Sequence, residues 1–222
     1  MATMLEVGYS LKELKIMIIG SSGAGKTSFV QRWTKAQFSD NYKATIISDF
    51  GFKIINYNNE LYRITLWDIG GQDKSASMAK IFGSDSHGCI VLTDILINEA
   101  PQEIFKWKEI VNEVTRFIDN EKIPFLLIGN KIDLITNEED KKKIDEKTKD
   151  MCNNYGFLTY FLTSAKENIN VEESMNYLID YIIERMKKFS EQNGIEFGKR
   201  RKDSVRLAKE NHIRKEKNNC CK

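Results

Sequence analysis

Leu14-Lys15-Ile16-Met17-Ile18-Ile19-Gly20-Ser21-Ser22-Gly23-Ala24-Gly25-Lys26-Thr27 is the stretch on which the fold turns. Its mostly apolar first half reads as a buried strand that ends at Gly20. Its second half fits G-x-x-x-x-G-K-[ST] at every position. A helix is expected to open near Lys26 and fade around Lys35. The glycines allow a tight loop whose backbone N–H groups point inward at phosphate oxygens. The helix N-terminus that follows adds its partial positive charge. In this setting Lys26 would reach the outer phosphates as a point charge, and the Thr27 hydroxyl would ligate Mg²⁺. A glycine-rich turn that binds nothing is the bland alternative, and the strand before and helix after argue against it. The loop alone does not choose between ATP and GTP, or between an enzyme and a switch.

Working outward, short apolar runs alternate with helix-like stretches, the signature of βα units around a mostly parallel sheet. Phe50–Asn56 and Leu61–Trp67 read as strands. Asn58-Asn59 between them suits a hairpin turn, so this pair is expected to be antiparallel. Cys89–Leu92 and Phe125–Ile128 are short apolar strands, as in a sheet covered on both faces. Pro101 suits the first turn of a helix running to about Asn120. A further helix is expected over Glu138–Tyr155, a last strand over Tyr160–Leu162, and a closing helix from Val171 to about Phe189. In that closing helix Met175, Leu178, Ile179, Ile182 and Ile183 recur at spacings of three and four, which makes a core-facing stripe. The expected architecture is a three-layer α/β fold with a six-stranded sheet.

The 222 residues fit one α/β domain plus a tail. We divide them into an N-terminal extension (1–10), the domain (11–189) and a flexible basic tail (190–222). From Arg185 onward 13 basic and 5 acidic residues give a net +8, against +2 for the whole chain. This asymmetry suggests a basic tail near an anionic surface, and nothing global points to nucleic acid. No signal peptide and no bilayer-spanning apolar run is legible, so a cytosolic chain is expected. Cys89 and Cys152 read as reduced, buried thiols without motif spacing.

Asn130-Lys131-Ile132-Asp133 follows the apolar run Phe125–Gly129. A carboxylate there can accept hydrogen bonds from the N1–H and the exocyclic amine of guanine. Adenine lacks those donors, and leaving the carboxylate unpaired in a dry pocket would penalise it. N-K-x-D alone is short enough to be a solvated turn. Ser164-Ala165-Lys166, after the last strand, shifts the balance, because both segments come from carboxyl ends of strands on the edge that carries the phosphate loop.

Over residues 11–189 the chain resembles Ras-superfamily GTPases, and Rab proteins in particular. The resemblance implies a Mg²⁺-dependent GTP/GDP switch that hydrolyses GTP slowly. It implies nucleotide contacts from Ser22, Gly23, Ala24, Gly25, Lys26, Thr27 and Ser28. Phe38 would stand against the base and Tyr42 would be a further contact. Asn130 and Asp133 would hold the guanine, Lys131 would pack its stem along it, and Ser164, Ala165 and Lys166 would complete the base site. Tyr42-Lys43-Ala44-Thr45-Ile46-Ile47-Ser48-Asp49-Phe50 looks like a first switch, with Thr45 closing over Mg²⁺ and the γ-phosphate. Trp67-Asp68-Ile69-Gly70-Gly71-Gln72-Asp73 looks like the second, with Asp68 holding Mg²⁺, the Gly71 N–H on the γ-phosphate and Gln72 orienting the attacking water. Two competing readings are a non-hydrolysing scaffold and a P-loop metabolite kinase. Retained Thr45 and Gln72 speak against the first, and Asn130–Asp133 against the second.

Ile46, Phe50, Trp67 and Phe82 fall at positions where Rabs meet effectors, although core packing is an ordinary fate for such aromatics. The pattern also departs from the common one. Ile47 stands where Rabs usually have Gly, Gly70 replaces Ala, Asp73-Lys74-Ser75 replaces a Glu-Arg-aromatic run, and Gly83 replaces a tyrosine. We expect Gly83 to remove aromatic surface from the second switch. Tyr42–Thr45, Trp67–Ile69 and Ser164–Glu172 are most similar to the Rab branch acting on melanosomes and other lysosome-related organelles. Cys220-Cys221-Lys222 resembles the paired-cysteine ending on which Rabs are geranylgeranylated, and Lys199-Arg200-Arg201-Lys202 would add attraction to anionic lipid. The partners implied are guanine nucleotide, an exchange factor, an activating protein, effectors, a prenylation escort, a GDP-dissociation inhibitor and a membrane.

Overall fold

A computed structural model describes residues 11–40, 45, 48–70, 81–96 and 101–194, with the backbone alone for 101–104. In chain order the elements are β1 (Lys12–Ile19), α1 (Lys26–Lys35), β2 (Ser48–Tyr57), β3 (Glu60–Ile69), β4 (Gly88–Asp94), α2 (Pro101–Val114), β5 (Phe125–Asn130), α3 (Glu138–Asn154), β6 (Thr159–Thr163) and α4 (Val171–Asn193). A short 3₁₀ turn, Ile132–Leu134, follows β5.

The six strands form one sheet in the order β2-β3-β1-β4-β5-β6. Only β2 runs antiparallel to its neighbour. The reason is local. Asn58 and Asn59 both hold positive φ, 50° and 64°, the conformation of a two-residue turn whose twist matches paired strands. The Asn56 side chain also accepts from the Asn59 N–H at 3.1 Å. β1 lies between β3 on one side and β4 on the other. Strand order therefore reverses at β1, and a crevice opens at the carboxyl ends of the strands there.

β4 and β5 are buried at every residue, as apolar strands covered on both faces require. The α4 stripe expected from spacing is fully inside, with Met175, Leu178, Ile179, Ile182 and Ile183 at 1% exposure or less. Cys89 and Cys152 are buried free thiols. Among the described residues no helix is long and apolar enough to cross a membrane.

Two helix ends differ from expectation. α2 stops at Val114 rather than near Asn120. The Thr115 hydroxyl donates to the Val111 carbonyl at 2.7 Å, and the Arg116 guanidinium donates to the Thr115 carbonyl at 2.6 Å and to the Asn112 carbonyl. These side chains satisfy the last turn, which no longer needs further helix. Phe117 then turns into the core, and Asn120, at φ 68°, closes the turn that follows. α4, by contrast, runs past Phe189 to Asn193. It ends at Gly194, whose left-handed backbone (φ 63°) brings its N–H onto the Ser190 carbonyl.

Candidate nucleotide site

A cleft of about 550 Å³ opens at the carboxyl ends of β1, β5 and β6. Ser22, Gly23, Gly25, Lys26, Thr27 and Ser28 line it from the loop and the start of α1. Phe38 and Thr45 line a second side, and Asn130, Lys131, Asp133, Ala165 and Lys166 a third. Four segments that are remote in sequence therefore meet at one place. Tyr42, Ile46, Ile47, Gly71, Gln72, Asp73-Lys74-Ser75, Lys199–Lys202, Cys220 and Cys221 lie outside the described residues.

Gly25 has φ 96°, and a Cβ there would run into the Asn130 amide, so the loop needs glycine for both conformation and space. Lys26 is only 6% exposed. Its ammonium donates to the carbonyls of Gly20 and Ser21, both at 2.9 Å, which draws the side chain back across the loop.

Beside it, Thr27 Oγ1 donates to Asp68 Oδ2 and lies 2.9 Å from Thr45 Oγ1. Thr45 Oγ1 is 3.5 Å from the same carboxylate oxygen. Asp68 is 1% exposed. Burial pushes its carboxyl above the usual range, while the Thr27 hydroxyl and the Lys26 charge pull it back. Asp68 Oδ1 is buried with no hydrogen-bond partner among the described residues. A buried carboxylate with an unpartnered oxygen, next to two hydroxyls, is the oxygen donor set of a hard divalent cation. These residues fit Mg²⁺.

At the other end Asn130 works as a joist. It is 2% exposed. Its Nδ2 donates to the Ala24 carbonyl at 3.0 Å, and its Oδ1 accepts from the Thr163 hydroxyl at 3.1 Å and the Ala165 N–H at 3.2 Å. One amide thus ties the phosphate loop to the segment after β6. Ala24 and Ser164 are fully buried and hold these loops rather than line the cleft. The Ser164 hydroxyl accepts from the Glu167 N–H at 2.9 Å. Lys131, at φ 74°, pairs with Asp94 at 2.7 Å, and the other Asp94 oxygen accepts from the Leu96 N–H at 2.9 Å. Asp133 faces the cleft from the 3₁₀ turn, partly exposed.

Gln31, Ser39, Asp40 and Leu134 also line the cleft, and Asp94 and Thr163 support it from behind. None of them belongs to a motif itself, so little in the sequence pointed to this. Asp94 alone left a trace, as a carboxylate two residues past the apolar run Cys89–Leu92.

The family model for Ras proteins, described as the Ras family, matches residues 15–184. The chain belongs to the Ras family. It is 32% identical to "Ras-related protein Rab-32" of Homo sapiens over 209 residues, 93% of this chain and 88% of that protein. It is 36% identical to "Ras-related protein Rab-32A" of Dictyostelium discoideum over 181 residues, 79% and 80% of the two chains. With "Ras-related protein Rab-7L1" of Homo sapiens it shares 33% over 167 residues, 75% and 80%. It is a Rab-type small GTPase, which binds GTP and GDP with Mg²⁺ and hydrolyses GTP to GDP.

In this Rab-type GTPase Thr27, Thr45 and Asp68 are the residues that would hold the cation. When bound, Mg²⁺ neutralises charge on the phosphate oxygens. The protein's own share is to keep Asp68 buried and to tie the phosphate loop to the segment after β6 through Asn130.

Away from the cleft, Phe50, Trp67 and Phe82 do come together. Phe50 stacks on Trp67 at 5.7 Å, and Trp67 meets Phe82 at 5.6 Å. Phe50 is 56% exposed, while Trp67 and Phe82 are half-buried and pack against the core, so the cluster bridges the core and the surface. Lys15 sits 4.9 Å from the Trp67 ring. The expectation for Gly83 is corrected. Gly83 is buried, and a Cβ there would lie 2.8 Å from Thr115 Cγ2. Its lack of a side chain serves close packing and does not strip aromatic surface from a switch.

Proposed function

We propose that this Rab-type GTPase is a membrane-tethered switch whose guanine site and hydrolytic centre use the residues named from sequence. Asp133 accepts hydrogen bonds from the guanine, Phe38 and the Lys131 stem flank the base, and Gln72 orients the attacking water. Tyr42, Thr45 and the Gly71 N–H close on the γ-phosphate. Ile46, Phe50, Trp67 and Phe82 form the effector surface. Exchange factor and activating protein act at the two switches. Geranylgeranyl groups on Cys220 and Cys221, with the basic run Lys199–Lys202, hold the protein on the cytoplasmic face of an endosomal, phagosomal or lysosome-related membrane. Two chains are needed because one gives only marginal binding. An escort and a GDP-dissociation inhibitor handle the lipidated form.

The observation that carries this reading is the meeting of Thr27 and Thr45, both hydrogen-bonded to Asp68, with Asn130, Lys131, Asp133, Ala165 and Lys166 around one cleft. The test is single-turnover GTP hydrolysis by wild type and Gln72→Leu. The wild type should convert bound GTP to GDP slowly, and Gln72→Leu should retain GTP. Equal rates would remove the water-positioning role. Cys220→Ser with Cys221→Ser should leave nucleotide binding intact and abolish vesicle association of the prenylated protein.

A further inference from the structure

Behind the base side of the cleft, Arg32 makes contacts that the established activity does not explain. It lies in the last turn of α1. Its Nε donates to the Ala165 carbonyl and its Nη2 to the Lys166 carbonyl, both at 2.7 Å. Its Nη1 donates to the Ala36 carbonyl at 3.2 Å, and its guanidinium carbon lies 5.9 Å from the Phe38 ring. Arg32 itself does not line the cleft, whereas Phe38, Ala165 and Lys166 do.

These contacts join two walls of the cleft that lie far apart in sequence. One wall is the turn after α1. Ala36 there adopts a left-handed backbone, φ 54°, which a non-glycine residue holds only when its surroundings fix it. That turn delivers Phe38. The other wall is the segment after β6. A planar trans peptide points its C=O and N–H in opposite directions. Holding the Ala165 carbonyl on Arg32 therefore fixes the Lys166 N–H to face away from Arg32. A planar guanidinium spreads its donors over three nitrogens and so can grip carbonyls on both walls at once, whereas an ammonium gathers its three donors at one point.

We propose that Arg32 is a positioning residue that clamps the two base-side walls of the cleft together and thereby sets how long a guanine nucleotide stays bound. The proposal rests on the reading that Phe38 and Ala165-Lys166 flank the base. Arg32 acts at the base end and not through the cation, so its effect should persist when Mg²⁺ is removed.

The test is release of fluorescently labelled GDP from full-length wild type, Arg32→Gln and Arg32→Lys, each with Mg²⁺ and with a chelator. Losing charge-assisted hydrogen bonds should speed release by about 10- to 100-fold in Arg32→Gln, by a similar factor in both conditions. Arg32→Lys, able to reach one carbonyl, should fall between the other two. Amide hydrogen exchange on the GDP-bound proteins supplies the readout that a merely structural role would not move. Exchange should rise in 164–169 and in the turn after α1, and stay unchanged in β4 and β5. Wild-type release rates in Arg32→Gln would overturn the clamp, as would exchange raised evenly across the sheet. A wild type that binds ADP as tightly as GDP would instead overturn the base-site reading beneath it.

Discussion

At the base end of the cleft, Asn130, Thr163 and Arg32 are spent on fixed partners within the protein. At the phosphate end, Asp68 keeps a buried oxygen without a partner among the described residues, and burial disfavours its charge. The wall around Asn130 is therefore tied by contacts within the protein. The metal wall is left with an electrostatic cost that a cation offsets, because an unpaired buried carboxylate is expensive. Such a division suits a switch. On the proposed reading, Asp133 and its neighbours would read the base, while Thr27, Thr45 and Asp68 would answer to the cation and the phosphates.

The largest effect should come from breaking the base end. Asp133→Asn replaces an acceptor with a group that also donates. GTP affinity should fall by about 10²- to 10⁴-fold, and xanthine nucleotides, which present an acceptor where guanine has a donor, should gain. Titration with labelled GTP and xanthosine triphosphate measures both. A variant that kept wild-type preference would show that base reading does not run through this carboxylate.

Removing the cation sharpens the contrast from the other end. Chelation should speed release of GDP yet leave the preference for GDP over ADP unchanged within about twofold, as expected if the cation is held by Thr27, Thr45 and Asp68, which hydrogen-bond one another and not Asn130. Competition binding with and without chelator decides it. A preference that collapsed along with the metal would mean the two walls are one cooperative unit.

Smaller effects are expected outside the cleft. Gly83→Ala forces a Cβ against Thr115 and should cost about 1–3 kcal/mol in denaturant unfolding, with GDP affinity unaltered. Near β2–β3, Glu60 accepts from Lys12 at 2.5 Å and from the Tyr62 hydroxyl at 2.8 Å. The Lys12 hydrogen bond is the chief reason its carboxyl lies below the usual range. A depressed folded value stabilises the protein above the ordinary glutamate range, and that contribution disappears as pH falls through the folded value. Glu60→Gln should lower Tm slightly at neutral pH and match wild type in acid. The Glu60 side chain is 36% exposed, so the difference should be small and should shrink with salt.

Much of the molecule was legible in the chain itself. The α1 start at Lys26, the antiparallel β2–β3 pair and the buried α4 stripe follow from glycine spacing, paired asparagines and apolar periodicity, all of them short-range properties. The end of α2 did not follow, because Thr115 and Arg116 stop it through side-chain bonds that no periodicity encodes. Gly83 was misread for a related reason: a missing side chain looks alike in sequence whether it faces solvent or Thr115.

The sequence by itself determined which chemistries this Rab-type GTPase carries: a loop that can cradle phosphate, a carboxylate that can read guanine, and a hydroxyl and an aspartate suited to Mg²⁺. Those depend on residue type and on spacing within a few positions. Only the tertiary structure decided what holds them in place. Asn130 meets Ala24 across 106 positions of chain, and Arg32 meets Ala165 across 133. Contacts at that separation exist because a parallel sheet gathers strand ends at one edge, and chain-local pattern contains no term for that gathering.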